Sequence, residues 1–141
     1  EDKCSKSYIR FRTPFMDDLI LKSCGHSAWN TKNHYYYEIS SYCDKNDTVS
    51  YAIQLVFNST NLEYENLVQL ENIIKAVQPN KKLKENWQWK TVFKSKTEKI
   101  KGEEILPEDF DGNNPLYTKL DKMFGEILKN EEFISTIRDS K

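Results

Sequence analysis

Apolar and polar residues alternate one for one in several stretches of this chain and recur every three to four residues in others. SYIRFR (7–12) sets Ile9 and Phe11 opposite Tyr8, Arg10 and Arg12, the period-two pattern of a half-buried strand. Pro14 closes that strand, and FMDDLIL then places Phe15, Met16, Leu19 and Ile20 at helical spacing for about two turns. HYYYEISSYC (34–43) and TVSYAIQLVFN (48–58) flank DKND, a four-residue turn of the kind that joins a hairpin. In the second of these strands Val49, Tyr51, Ile53, Leu55 and Phe57 share one face, and Ser50, Ala52, Gln54 and Asn58 share the other. One dry and one wetter side is what an antiparallel sheet covered on a single face requires.

The strongest helical signal is TNLEYENLVQLENIIKAV (60–77). Thr60 and Glu63 have capping-box spacing. Leu62, Leu67, Leu70, Ile73, Ile74 and Val77 form an apolar stripe, and Pro79-Asn80 ends it. ENWQWKTVFKSKTEKIK (85–101) alternates again. As a regular strand it turns Trp87, Trp89, Thr91 and Phe93 inward and Gln88, Lys90, Val92 and Lys94 outward, with a return strand through Ile100 to Ile105. PEDFDGNN (107–114) reads as a loop. A final helix starts at Asn114-Pro115, a capping residue followed by proline. Leu116, Leu120, Met123, Phe124, Ile127 and Leu128 form its expected core face, continuing through Phe133 and Ile137. The expectation is one α+β domain over 1–141, a mostly antiparallel sheet of about four to five strands with two main helices packed on one face.

Composition changes this picture little. At 13% aromatic residues the chain has large rings enough for a compact core. A net charge of −1 argues against wholesale binding to a polyanion or an anionic membrane, yet the charges are segregated. Residues 79–101 hold eight lysines and two glutamates, whereas 103–111 hold five acids and no base. Such blocks either pair across the surface or face a partner. No run approaches the length of a membrane span and no signal-peptide core is seen, so no membrane association and a cytoplasmic location are expected. Cys4, Cys24 and Cys43 are odd in number and form no CxxC, which indicates neither a disulfide framework nor a zinc site. Asn46-Asp-Thr and Asn58-Ser-Thr match the glycosylation pattern but read as turn residues and a helix start.

The chemistry-bearing combinations are sparse. Cys24-Gly-His26 is the sole close cysteine–histidine pair, and a loop cysteine beside a solvated histidine explains it without catalysis. DFDGNN (109–114) has its glycine misplaced for a calcium loop and Leu120 where a bidentate Glu belongs. Asp17-Asp18 sits where acids complement a helix dipole. The four glycines are scattered, so no phosphate loop is present. A two-carboxylate-plus-lysine nuclease centre needs an acid-x-Lys along a strand. Only Glu1-Asp-Lys3 and Asp139-Ser-Lys141 fit, at opposite ends of the chain. No catalytic residue, metal or cofactor is expected.

FRTPFMDDLI (11–20), AWNTKNHYYYEI (28–39), IIKAVQP (73–79) and ENWQWKTVFKSK (85–96), in this order, resemble the C-terminal region of bacterial PD-(D/E)XK nuclease family proteins associated with restriction or defence. The resemblance covers most of the chain and carries no catalytic signature. It implies a non-catalytic accessory domain beside a nuclease-like core, and the start at EDKCSKSY leads to the expectation of a C-terminal fragment of a longer protein. Nucleic-acid contact would then come from Arg10, Arg12, Lys32, Lys90, Lys94 and Lys96, with Asn30 and Asn33 as polar contacts. The alternative is a protein-interaction module, for dimerisation or immunity-type binding, that uses exposed tyrosines Tyr35, Tyr36 and Tyr37. A stand-alone enzyme would instead show a deep polar pocket around His26 or Asp17.

Overall fold

The computed structural model describes residues 5–20, 22–46, 48–101 and 115–139. Along the chain run β1 (Ser5–Phe11), α1 (Pro14–Leu19), β2 (Tyr35–Cys43), β3 (Thr48–Asn58), α2 (Tyr64–Val77), β4 (Trp89–Lys94), β5 (Glu98–Lys101) and α3 (Pro115–Asp139). Every strand pairing is antiparallel, in the order β1-β2-β3-β4, and β5 continues beside β3 along the edge that β4 occupies. The fold is α+β. The acidic run 103–111, the expected loop at 107–114, the strand end at Ile105, the cap at Asn114, and Cys4 lie outside the described residues. No helix among the described residues is long and apolar enough to cross a membrane.

The hairpin of β2 and β3 is the centre of the sheet. Its register sets Tyr35 opposite Phe57, Tyr37 opposite Leu55 and Ile39 opposite Ile53, so one apolar face runs unbroken across both strands. That face packs on Met16 of α1, on Leu70, Ile73 and Ile74 of α2, and on Met123, Ile127 and Ile134 of α3. Asp44 closes the hairpin by accepting the Asn46 and Thr48 backbone N–H groups on Oδ1, at 2.8 and 3.0 Å. No helix among the described residues packs on the opposite face, although Ala52, Val56 and Asn58 of that face are buried.

The helix termini differ from the expectation in instructive ways. Pro14 opens α1 rather than merely closing β1: Thr13 is the N-cap, its Oγ1 accepting the Met16 N–H at 3.2 Å, and proline takes the first helical position. Helix α2 starts at Tyr64 with Glu63 at the cap and no side-chain capping bond. The Thr60–Glu63 capping box does not form, because Asn61 adopts a left-handed conformation (φ 60) between them. The Glu63 carboxylate instead accepts the Cys24 N–H at 2.7 Å and an Asn66 side-chain N–H at 3.1 Å. The Cys24 amide, first among these donors, holds that carboxyl below the usual carboxylate range.

Helix α3 buries a face rotated from the expected one. Met123, Ile127, Asn130, Glu131 and Ile134 are buried, whereas Phe124, Leu128 and Phe133 are exposed; the side chains of Leu116, Leu120 and Ile137 lie outside the described residues. The rotation follows from Glu131. Its Oε1 accepts from Thr13 Oγ1 at 2.6 Å and from the Tyr37 hydroxyl at 3.0 Å. A buried carboxylate with two good donors is tolerable, whereas one without them is not.

Tyr35 belongs to the same arrangement. Its hydroxyl donates to Asp17 Oδ1 at 2.6 Å and accepts the Thr13 N–H at 3.3 Å. Burial pushes both phenols far above the ordinary value of 10.0, and the neighbouring Asp17 and Glu131 carboxylates push the same way. Because the folded-state pKa lies above the unfolded one, this stabilisation is complete below about pH 10 and is lost as the pH rises beyond it. In a spectrophotometric titration Tyr35 and Tyr37 should therefore ionise only together with loss of the far-ultraviolet dichroism signal. Tyrosines that all titrate freely while the fold persists would contradict the arrangement.

Candidate nucleic-acid interface

The segment from Trp87 to Lys94 does not keep the single alternation that its sequence suggests. Lys94 and Phe93 pair with Gln54 and Leu55, but Thr91, Lys90 and Trp89 pair with Val56, Phe57 and Asn58. Val92 is thus an extra residue, a β-bulge that reverses the facing of Trp89, Lys90 and Thr91 relative to a regular strand. Gln78, just past α2, stabilises the bulge by donating from Nε2 to the carbonyls of Thr91 (3.1 Å) and Val92 (2.8 Å). Beyond it, Ser95 Oγ accepts the Ile53 N–H at 3.0 Å in place of a backbone partner.

The consequences correct the expected facing. Val92, expected outside, is 1% exposed and belongs to the core; Trp89, expected inside, is 51% exposed. Thr91 is exposed as well, and Lys90 is half-buried. Trp87 does lie inside, at 7% exposure, its Nε1–H donating to Glu71 Oε1 at 3.2 Å. An exposed indole therefore shares a sheet face with Lys94 after all.

Trp89 stands edge-to-face with Trp29 at 5.0 Å and 86°, and Trp29 stands likewise against Tyr36 at 4.8 Å and 82°. Trp29 comes from the long 22–33 connection, which is tied down at many points. Asn58, fully buried at the end of β3, is the main tie: Oδ1 accepts the Ala28 and Thr60 N–H groups (2.9 and 3.2 Å), and Nδ2 donates to the Gln88 carbonyl at 3.0 Å. This side chain is wholly engaged, consistent with a structural reading of Asn58-Ser-Thr. At Gly25 an added Cβ would lie 2.7 Å from the Asn61 carbonyl oxygen, so the loop needs glycine for its close approach to the start of α2.

The expected nucleic-acid contacts are only partly gathered. Arg10 lies on the helix-free face but is taken by Glu38, Nε to Oε2 at 2.7 Å, with Gln54 Nε2 donating to the other oxygen at 3.2 Å. Arg12 donates to Asn33 Oδ1 at 3.1 Å and lies 3.6 Å from Asp17. Asn33 in turn donates to the Tyr36 hydroxyl at 3.2 Å, and Asn30 holds a left-handed turn (φ 62). Lys32, Lys90, Lys94 and Lys96 have no ion pair among the described residues. Lys94 borders a polar groove of about 270 Å³ on the helix-free face with Tyr8, Ser40, Tyr42, Ser50 and Gln54. Lys96 turns instead toward Lys129 and Phe133 of α3. Among the candidate interface tyrosines, Tyr35 and Tyr37 are core residues and offer no surface; their odd register in β2 points them at the helices. Tyr36 alone reaches the other face, half-buried under Trp29.

One pairing was not visible in the sequence. His34 Nε2 lies 2.6 Å from Ser23 Oγ and its Nδ1 lies 2.8 Å from the Asn58 carbonyl oxygen. The residues are eleven apart with no local motif, so only the folded loop reveals them. A serine–histidine contact suggests a nucleophile and base, but the group that orients the imidazole here is a backbone carbonyl. Both side chains are buried, and none of the described cavities has Ser23, His34, His26 or Asp17 in its wall. The pair fixes the loop that carries Trp29.

No family model, curated protein or solved structure matches this chain. The site must be argued from its own geometry. Asn58→Ala should lower stability in urea by about 2–4 kcal/mol, the loss of three buried hydrogen bonds, and should weaken the near-ultraviolet dichroism of the Trp29–Trp89 pair. A neutral outcome would mean that the 22–33 loop is held by its other contacts.

Proposed function

We propose that this chain is a non-catalytic nucleic-acid-binding domain, an accessory to a nuclease-like protein, and that its working surface is the helix-free sheet face and the adjoining β4 edge. What carries the reading is the bulge at Val92. It brings the exposed Trp89, propped on Trp29, to the sheet face that carries Lys94, which has no ion pair among the described residues. Aromatic rings and cations on one wet surface are what a single-strand platform combines. The resemblance of residues 11–96 to the C-terminal region of PD-(D/E)XK family proteins supplies the nuclease context and nothing about the chemistry.

Lys94 is the principal phosphate contact on the sheet face in this reading, with Lys90, whose register opposite Phe57 leaves it to the β4 edge, and Lys32 and Lys96 at the margins. Arg10 is a weaker candidate, because binding a phosphate would mean giving up Glu38. Three or four phosphate contacts to a single strand imply that affinity falls about 20- to 50-fold between roughly 50 and 200 mM salt. The triple variant K90A/K94A/K96A should lose most of that salt dependence. Fluorescence anisotropy with labelled single- and double-stranded oligonucleotides checks both, and no binding of either at low salt removes the reading.

A protein-interaction role is the second reading, with a second copy of this chain as the partner. The observations in its favour are the exposure of Ile9 (64%) on the edge strand β1 and, separately, of Leu128 (62%) on α3, neither of them among the tyrosines 35–37. Sedimentation velocity should then show a concentration-dependent dimer that Leu128→Lys abolishes. A monomer at every concentration excludes it.

A further inference from the structure

The connection between α2 and β4 forms one wall of a cleft whose Lys82, Lys84 and Asn86 the sheet-face reading does not use. Asn86 turns the chain in a left-handed conformation (φ 58). The segment after it is rigidly held, Ser59 Oγ donating to the Trp87 carbonyl at 2.5 Å and Ser59 N–H to the Gln88 carbonyl at 3.0 Å. The resulting cleft, about 430 Å³, is lined by Lys82, Lys84, Asn86, Trp87, Trp89 and Lys90 among others, with no acidic residue in its wall. That volume lies within the range of about 300–1,000 Å³ found for small-molecule sites. Lys82, Lys84 and Lys90 have no ion pair among the described residues.

We infer that this cleft is a subsite for one unpaired nucleotide, its base stacked on Trp89 and its phosphate held by Lys82, Lys84 and Lys90. The inference rests on the nucleic-acid reading above and narrows it to single-stranded ligands. An edge-to-face contact covers at most one face of either ring, so Trp29 leaves a face of Trp89 open for stacking. The side chain of Asn86 adds amide donor and acceptor groups at the cleft wall. A paired base cannot enter, because its faces are already stacked within the duplex. An acidic peptide would satisfy the lysines but leave the indole without a planar partner.

The test uses a ten-residue oligothymidylate and a ten-base-pair duplex, titrated at low salt with tryptophan fluorescence and anisotropy as readouts. The oligothymidylate should quench the fluorescence and bind more tightly than the duplex. Trp89→Ala should weaken oligothymidylate binding about tenfold and more than it weakens duplex binding, while Trp89→Phe restores part of the loss. K82A/K84A, in an exposed loop, should lower the salt dependence for the oligothymidylate without touching the core. Equal affinity for the two probes, weakened alike by Trp89→Ala, overturns the subsite and leaves the broader reading standing. No binding of either probe overturns both. Displacement of the oligothymidylate by polyglutamate as readily as by unlabelled oligothymidylate also overturns it, in favour of an acidic protein partner.

Discussion

The pairing of β3 with β4 cannot hold one register from end to end. Phe93 has to meet Leu55 over the core, while the chain arriving from α2 brings Trp87 down against Glu71. Both anchors lie on the helix side. With regular alternation this would drive Trp89 and Thr91 inward too, toward space already filled by Phe57 and the α2 stripe. One additional residue at Val92 resolves the conflict: Val92 and Phe93 both serve the core, and Trp89 is expelled. Gln78 makes this tolerable, since the carbonyls displaced from the ladder would otherwise lack donors. The chemistry of the outer surface is thus a by-product of how the inner one is packed.

A second constraint acts through polar groups. Thr13 caps α1 with the same hydroxyl that donates to Glu131 of α3, and Glu131 also receives Tyr37 of β2. Hydrogen bonds to a charged group contribute about 1.5–3 kcal/mol each, enough for two of them to offset much of the several kcal/mol of desolvation a buried carboxylate incurs. The network therefore specifies the rotation of α3 more than it adds net stability. It is why Phe124 and Leu128 are left outside although they would be better core residues than Asn130 and Glu131.

The parts of the fold legible in the sequence are those set by strict period. β2, β3 and the stripe of α2 follow from alternation in 48–58 and helical spacing in 62–77, and the hairpin follows from DKND. What was not legible arises from single long-range contacts. No pattern in 85–101 marks the bulge, because Val92 is as plausible on a wet face as in a core and the deciding partner, Gln78, sits in another element. A tyrosine run suits an exposed interface as well as a core; Tyr35 and Tyr37 are core residues because Asp17 and Glu131 satisfy their hydroxyls, the second 94 residues away. The Thr60–Glu63 box is broken locally by the left-handed Asn61 between its members, and the freed carboxylate goes to the distant Cys24 amide. Of the candidate cations, the arginines were legible as charges but not as charges already paired.

This distribution of charge bears on what such a surface could accomplish. A domain of net charge −1 has no long-range field to draw in a polyanion, so only local contacts count, and these are screened beyond about 8–10 Å at physiological salt. A few lysines and one or two stacked rings correspond to non-specific affinities of about 10⁻⁴ to 10⁻⁶ M. Alone, that is too weak to select a target. Tethered to a second binding element, the same contacts become effectively intramolecular, and millimolar effective concentrations turn weak grips into substantial avidity. On the proposed reading the surface would serve as an auxiliary hold on an unpaired strand rather than as autonomous recognition. A core that turns its surplus indole outward would be enough to provide one.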